Sequence, residues 1–246
     1  MGYKETYNRW LTSDVVDDDT KAELKSIENN EKEIEERFYR ELEFGTAGMR
    51  GIIGAGTNRI NIYNVRRASQ GVAKYVLSNG EDAAKAGVLI GYDTRNFSRT
   101  FAEETAKVLT CAGVKTYLFP IVHSVPEVSF GIRELGCSAG VMITASHNPK
   151  EYNGYKVYDD TGCQLIPEWG DQVVAYVNEV KDELAVEVIS DEEAYPYITW
   201  IGEEVDEAYY QEVMAIEINP GMDKKDFKIV FSPQHGTSNL PVRNCL

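Results

Sequence analysis

The chain has 246 residues, of which 43% are apolar and 11% aromatic, enough for one large domain or one domain plus part of another. Its formal net charge of −15 argues against a nucleic-acid backbone or an anionic membrane as the main partner, and confines any anion site to one local gathering of cations and backbone N–H groups. Cys111, Cys137, Cys163 and Cys245 lie far apart without a C-x-x-C pair, which fits a reducing compartment and excludes a disulfide framework or a cysteine zinc site. The first residues lack the apolar core of a signal peptide and no apolar run reaches membrane-spanning length, so a cytoplasmic location is expected.

In chain order, the charged stretch from about Thr20 to Glu43 carries Leu24, Ile27, Ile34, Phe38 and Leu42 at mostly helical spacing, which predicts helices packed by one face. The glycine-dense FGTAGMRGIIGAGTNRIN that follows reads as a loop. A helix is expected over 63–78, stopped by Asn79-Gly80. Strands at 86–92, 114–119 and 139–144 then alternate with helices at 99–113 and 126–136, the latter with Pro126 in its first turn. Short joints between such elements predict an α/β fold, a mixed, largely parallel sheet layered between helices. A further strand at 153–158 and a long helix at 168–184 extend the pattern, and 185–226 reads as an acidic linker with one helix. FKIVFSPQHG (227–236) reads as a new buried strand and loop. The expected organisation is a helical lead-in (1–43), a first domain (44–184), a connection (185–226) and the truncated start of a second, similar domain (227–246).

The stretch GVMITASHNPKEYNGYKVY puts Ser146 just past a strand, where ligands of open parallel α/β sheets bind. Thr144, Ser146 and Asn148 also suit an ordinary polar turn before Pro149. Against that reading, a hydroxyl, an imidazole, an amide and Lys156 collect here, and other phosphate-suited loops stand at 45–51, 91–99 and 232–237. A nucleophile elbow needs glycines where Thr144 and Asn148 stand, and His147, as the adjacent residue, is expected to diverge from Ser146, so acyl transfer is disfavoured. Phosphoryl transfer suits a serine better, because it needs positioning and charge neutralisation more than a strong base.

TASHNPKEYNGYKVY (144–158) resembles the active-site serine segment of the α-D-phosphohexomutases, the phosphoglucomutase and phosphomannomutase family. EFGTAGMRG (43–51), GYDTRNFSRTFA (91–102) and FSPQHGTSNLPVR (231–243) resemble three further motifs in that family's order. The lead-in is most similar to bacterial phosphoglucomutases of the phosphopentomutase-like branch. The resemblance implies a phosphoserine at Ser146, Lys156 as general acid/base, Arg50 beside the transferring phosphate, and His147 shaping the serine loop. It also implies substrate contacts from Thr46, Arg50, Asn148, Lys156 and His235, with Arg95 and Ser98 as supports of the loop and His123 without a catalytic role. Glucose 1,6-bisphosphate is the implied intermediate, a small phosphosugar the implied partner, and Mg²⁺ the implied cofactor, held at Ser146 through its phosphate. The family's three-aspartate metal loop and sugar-reading loop have no counterpart in these residues, so this length of chain alone is expected to be inactive.

Overall fold

The computed structural model describes residues 2–46 and 48–246. Three short helices open it: α1 (Tyr3–Thr12), α2 (Asp18–Ser26) and α3 (Glu31–Phe38). They converge on Trp10, which is wholly buried among Tyr7, Leu24, Ile34 and Phe38. Asp17 caps α2 by accepting the Thr20 N–H and also accepts the Tyr63 hydroxyl at 2.7 Å. Burial opposes the charge on Asp17, but the donors from Thr20 and Tyr63 outweigh it and hold the carboxyl below its ordinary range. Burial, reinforced by that same bond, pushes the Tyr63 phenol up to about 12.

A six-stranded sheet follows, built from β1 (Gly48–Ile52), β2 (Val88–Tyr92), β3 (Thr116–Leu118), β4 (Ala139–Ile143), β5 (Tyr152–Asp159) and β6 (Ile198–Trp200) in the order β1-β5-β4-β2-β3-β6. β4, β2, β3 and β6 run parallel, whereas β5 is antiparallel to both β4 and β1. The mixed, largely parallel α/β architecture is thus the one expected. Its helices are α4 (Ile62–Ser78), α5 (Glu81–Ala86), α6 (Ser98–Cys111), α7 (Val125–Glu134), α8 (Pro167–Glu179), α9 (Asp191–Ala194), α10 (Glu203–Ala215) and α11 (Asn239–Cys245).

The inner strands β2, β3, β4 and β5 are buried on both faces, so their alternate side chains enter two cores. Ile90, Val141, Tyr155 and Val157 pack with Val72, Phe101 and Val173 of α4, α6 and α8. Leu89, Phe119, Met142 and Tyr158 pack with Val128 and Ile132 of α7 and Val205 of α10. The lead-in is fastened to this body, since the Trp10 Nε1–H donates to Glu183 Oε1 at 2.6 Å. Among the described residues, no helix is long and apolar enough to cross a membrane.

Four segments differ from expectation. β1 lies inside the glycine-dense stretch read as a loop; as an edge strand with alternating burial it shows no apolar run, and Gly48 (φ 121°) allows a backbone approach that a Cβ would block, 1.8 Å from the Tyr155 carbonyl oxygen. The supposed linker contains β6, whose three residues bury only Ile198. The helix expected to reach 184 ends at Glu179, ahead of a 3₁₀ turn over Glu183–Ala185. The buried strand expected at 227–236 is overturned: those residues pair with no strand among the described residues, and Phe227, Ile229 and Val230 are exposed. Their apolar run reads as a strand, but no neighbouring strand offers it hydrogen bonds.

Two stability tests follow from this packing. A Cβ on Gly71 of α4 would lie 2.3 Å from Val177 Cγ2 and 2.8 Å from the Val177 Cα of α8. The backbone cannot yield as a flexible side chain would, so the overpacking cost exceeds the helix-propensity gain of about 1 kcal/mol. Gly71→Ala should therefore lower stability by about 1–2 kcal/mol, read from the urea midpoint. Asn caps as well as Asp, so Asp17→Asn isolates the charge. Because the Asp17 pKa is depressed on folding, its contribution is present above the ordinary carboxylate range and lost as pH falls through the folded value. The variant should be less stable at pH 7, and its deficit should vanish on acidification.

Candidate active site

The site grows from the carboxyl ends of β2 and β4. Past β4 the backbone of Ser146 adopts φ 56°, the left-handed region that a non-glycine residue occupies only when its surroundings hold it there. The Ser146 N–H donates to Thr144 Oγ1 at 2.9 Å, and the Thr144 hydroxyl donates to Asp93 Oδ2 at 2.6 Å. Asp93 follows β2 directly, and its Oδ1 accepts the Ser98 hydroxyl at 2.7 Å and the Arg95 N–H at 3.0 Å. Arg95 then grips the loop through its carbonyls. Nη2 donates to those of Ser146 and Asn148, each at 2.6 Å, and Nη1 to those of Pro149 at 2.9 Å and Tyr152 at 3.1 Å.

These contacts present the Ser146 side chain to solvent at the edge of a cleft of about 1010 Å³. The cleft is walled by 93–96, the serine loop and 233–237, with Ser124 and Val125 at the start of α7 and Met142 in its floor. His147 and Asn148 line it, and His235 faces it from the far wall, where its carbonyl accepts the Thr94 hydroxyl. The expected divergence of His147 does not occur: the left-handed turn brings Ser146 Oγ within 3.1 Å of His147 Nδ1.

Arg50 joins from β1, its Nη1 donating to Asn148 Oδ1 at 3.1 Å. Lys156 lies on β5 opposite Met142 of β4 and Gly48 of β1. Directly paired residues project from one face of a sheet, so Lys156 and Arg50 share the face whose Met142 floors the cleft. Lys156 is not itself in the cleft wall, whereas Lys150 is. Thr46 stands apart from the cleft, its backbone pressed against Gly170 of α8. Arg95 and Ser98 support the serine loop as expected. The residues that sequence reasoning missed are Asp93, Thr144 as a link to the serine N–H, and Lys150. The one signal for Asp93 was its place at the end of an apolar strand in GYDTRNFS.

Fold and site together define an α/β protein with an exposed serine at a cleft on the carboxyl ends of parallel strands. Residues 41–183 match the family described as phosphoglucomutase/phosphomannomutase, alpha/beta/alpha domain I, and the chain belongs to that family. It is 39% identical over 241 residues to a phosphoglucomutase of Staphylococcus saprophyticus, covering 97% of this chain and 41% of that protein. A probable phosphoribomutase of Schizosaccharomyces pombe is 45% identical over 166 residues, covering 67% of this chain and 28% of that one. The crystal structure of a putative phosphomannomutase from Thermus thermophilus superimposes with a TM-score of 0.59 at 29% identity, over 72% of this chain and 36% of that one. The chain thus spans less than half the length of each.

The link through Thr144 can be tested by nearly isosteric replacement. Thr144 is buried, and Thr144→Val leaves the Ser146 N–H without its acceptor and Asp93 Oδ2 without its hydroxyl donor. Stability should fall by about 1–3 kcal/mol in urea unfolding, with faster amide exchange at Ser146, and Thr144→Ser should restore most of both.

Proposed function

We propose that Ser146 carries a phosphoryl group, and that the protein containing this chain is a phosphosugar mutase interconverting glucose 1-phosphate and glucose 6-phosphate. The carrying observation is the left-handed Ser146, its hydroxyl presented at a cleft with Arg50, Lys150 and His147 around it in an otherwise acidic chain. In the forward step a sugar hydroxyl oxygen bonds to phosphorus as the bond from phosphorus to Ser146 Oγ breaks. The hydroxyl proton is returned to Oγ. This yields a bound glucose 1,6-bisphosphate, which turns over and gives its other phosphoryl group back to Ser146.

We assign that proton to Lys156 and the developing phosphoryl charge to Arg50, on the face they share. His147 and Asn148 shape the serine loop, and Asn148 and His235 meet the substrate from the cleft walls. Thr46 is the weakest member of the proposed set, because a substrate contact there needs the glycine loop to reach across from α8. The segment 227–246, with its exposed apolar run, is proposed to open a second domain, after the lead-in (1–43), first domain (44–184) and connection (185–226).

Mg²⁺ is the expected cofactor of such chemistry, but the described residues around Ser146 do not make its ligand set. Asp93, the carboxylate of the cleft, is engaged on both oxygens by Ser98, Arg95 and Thr144. A phosphorylated Ser146 supplies an oxygen, and among the described residues nothing beside it completes a shell.

A serine hydrolase is the second reading, favoured by the contact between Ser146 Oγ and His147 Nδ1. It is the poorer one: His147 makes no further hydrogen bond among the described residues, so no carboxylate orients it as a base. A phosphosugar-binding protein without turnover, or a mutase for mannose or pentose phosphates, uses the same loops.

Intact mass and peptide mapping of the gene product from its own cells should place one phosphoryl group on Ser146. Incubation with glucose 6-phosphate should move that group into glucose 1,6-bisphosphate, and Ser146→Ala should abolish both. A bare Ser146 that still binds glucose 6-phosphate identifies the non-catalytic binder. Labelling of Ser146 by a fluorophosphonate identifies the hydrolase.

A further inference from the structure

Beside the cleft, on the far side of the 233–237 loop, lies a second cavity of about 260 Å³. Its floor is formed by His123 before α7, Glu127 in the first turn of α7 and Asp206 of α10, with one ligating atom from each lying within 4.8 Å of the others. His123 and Glu127 are each only 3% exposed. The imidazole stacks on Phe119 at 3.7 Å between centroids, and its Nδ1 is 2.9 Å from the Ile121 carbonyl oxygen. A carbonyl only accepts, so Nδ1 bears a proton and Nε2 is the nitrogen turned to the carboxylates, 2.8 Å from Asp206 Oδ1.

The charges here do not balance. Glu127 uses Oε2 to take the Ser124 N–H at 2.7 Å, while its Oε1 and Asp206 Oδ2 take no hydrogen bond among the described residues. No lysine or arginine lines the cavity. Even with His123 doubly protonated, two carboxylates face one positive charge, and Glu127 holds its charge while only 3% exposed, which is costly without a cation opposite it. A divalent ion that replaces the Nε2 proton brings the sum to zero, the displaced proton passing to solvent.

We propose that His123 Nε2, Glu127 Oε1 and a carboxylate oxygen of Asp206 form a binding site for a divalent transition-metal ion, Zn²⁺ fitting the ligand set best. One imidazole with two carboxylates is a zinc-type donor set, whereas Mg²⁺ and Ca²⁺ take oxygen alone. The remaining hydrogen bonds are those of a supported site: the Nδ1 proton on a carbonyl fixes the ring, and the Ser124 N–H fixes the carboxylate. The cavity leaves room for water as a fourth ligand, and Thr237 and Asn239 line it to receive that water. Bound metal joins α7 to α10 directly beneath the loop that carries His235. The site is separate from Ser146, and the inference stands whatever reaction the serine performs.

The test uses this chain stripped with a chelator and titrated with Zn²⁺ against a chromophoric competitor, then with Co²⁺. One ion per chain is expected, with a Co²⁺ absorption band of low coordination number. Asp206→Asn and Glu127→Gln should each weaken binding by about tenfold or more, while Ser146→Ala leaves it unchanged. Asp206→Asn retains an acceptor for His123, so folding is preserved, and circular dichroism checks it. X-ray absorption should show nitrogen and oxygen neighbours only. Sub-stoichiometric binding, a sulfur shell, or affinity unchanged in both variants overturns the proposal.

Discussion

One guanidinium holds the serine loop in shape. Arg95 reaches the carbonyls of Ser146, Asn148, Pro149 and Tyr152, the first three of which lie in the loop between β4 and β5, outside either strand. A left-handed serine costs of order 1–3 kcal/mol, and charge-assisted hydrogen bonds to these carbonyls offset it. A planar fork of donors suits this task, whereas an ammonium offers a single point from which the same oxygens cannot be reached together. Asp93 makes the arrangement rigid from below, because it binds the Arg95 backbone and the Thr144 hydroxyl at once. Ser146 is thereby fixed from both its N–H and its C=O, leaving only the side chain free to act.

The acidic composition gives this geometry its electrostatic meaning. With a net charge of −15, the average surface repels phosphate, and Lys150 in the cleft wall with Arg50 bonded to the serine loop makes a local exception. An anion approaching this protein has a defined place to go. Several buried or half-buried basic side chains are already committed elsewhere: Arg37, Arg59, Arg66, Arg67 and Lys107 all sit in ion pairs with carboxylates.

The parallel strands were legible because burial on both faces writes them as unbroken apolar runs, as in VLIGY and AGVMI. The edges were not. β1 alternates buried and exposed residues among glycines, and β6 buries a single side chain, so neither rises above loop composition. The run KIVF failed in the opposite sense, since apolar sequence cannot report whether a neighbour strand exists. Within the site, Ser146 and Arg50 were readable from local motifs. The chain from Asp93 through Thr144 to Ser146 was not, because it joins residues 51 positions apart that only the parallel pairing of β2 with β4 brings together. The reach of Ser146 Oγ to its own neighbour His147 was misjudged for a related reason: a backbone torsion set by tertiary contacts decides where adjacent side chains point.

The bond from Trp10 to Glu183 also bears on how the protein is made. The indole N–H and its acceptor are 173 residues apart. A ribosome adding about 5–20 residues per second needs on the order of ten to thirty seconds to deliver the second after the first. Until then the indole N–H of the first helices lacks its acceptor, even though Leu24, Phe38 and Tyr63 arrive earlier to cover its rings. The opening segment is therefore synthesised first and completed late. Slow decoding between these two positions would lengthen the exposure of nascent chains, whereas once formed the same bond ties the first helix to a turn 173 residues further on.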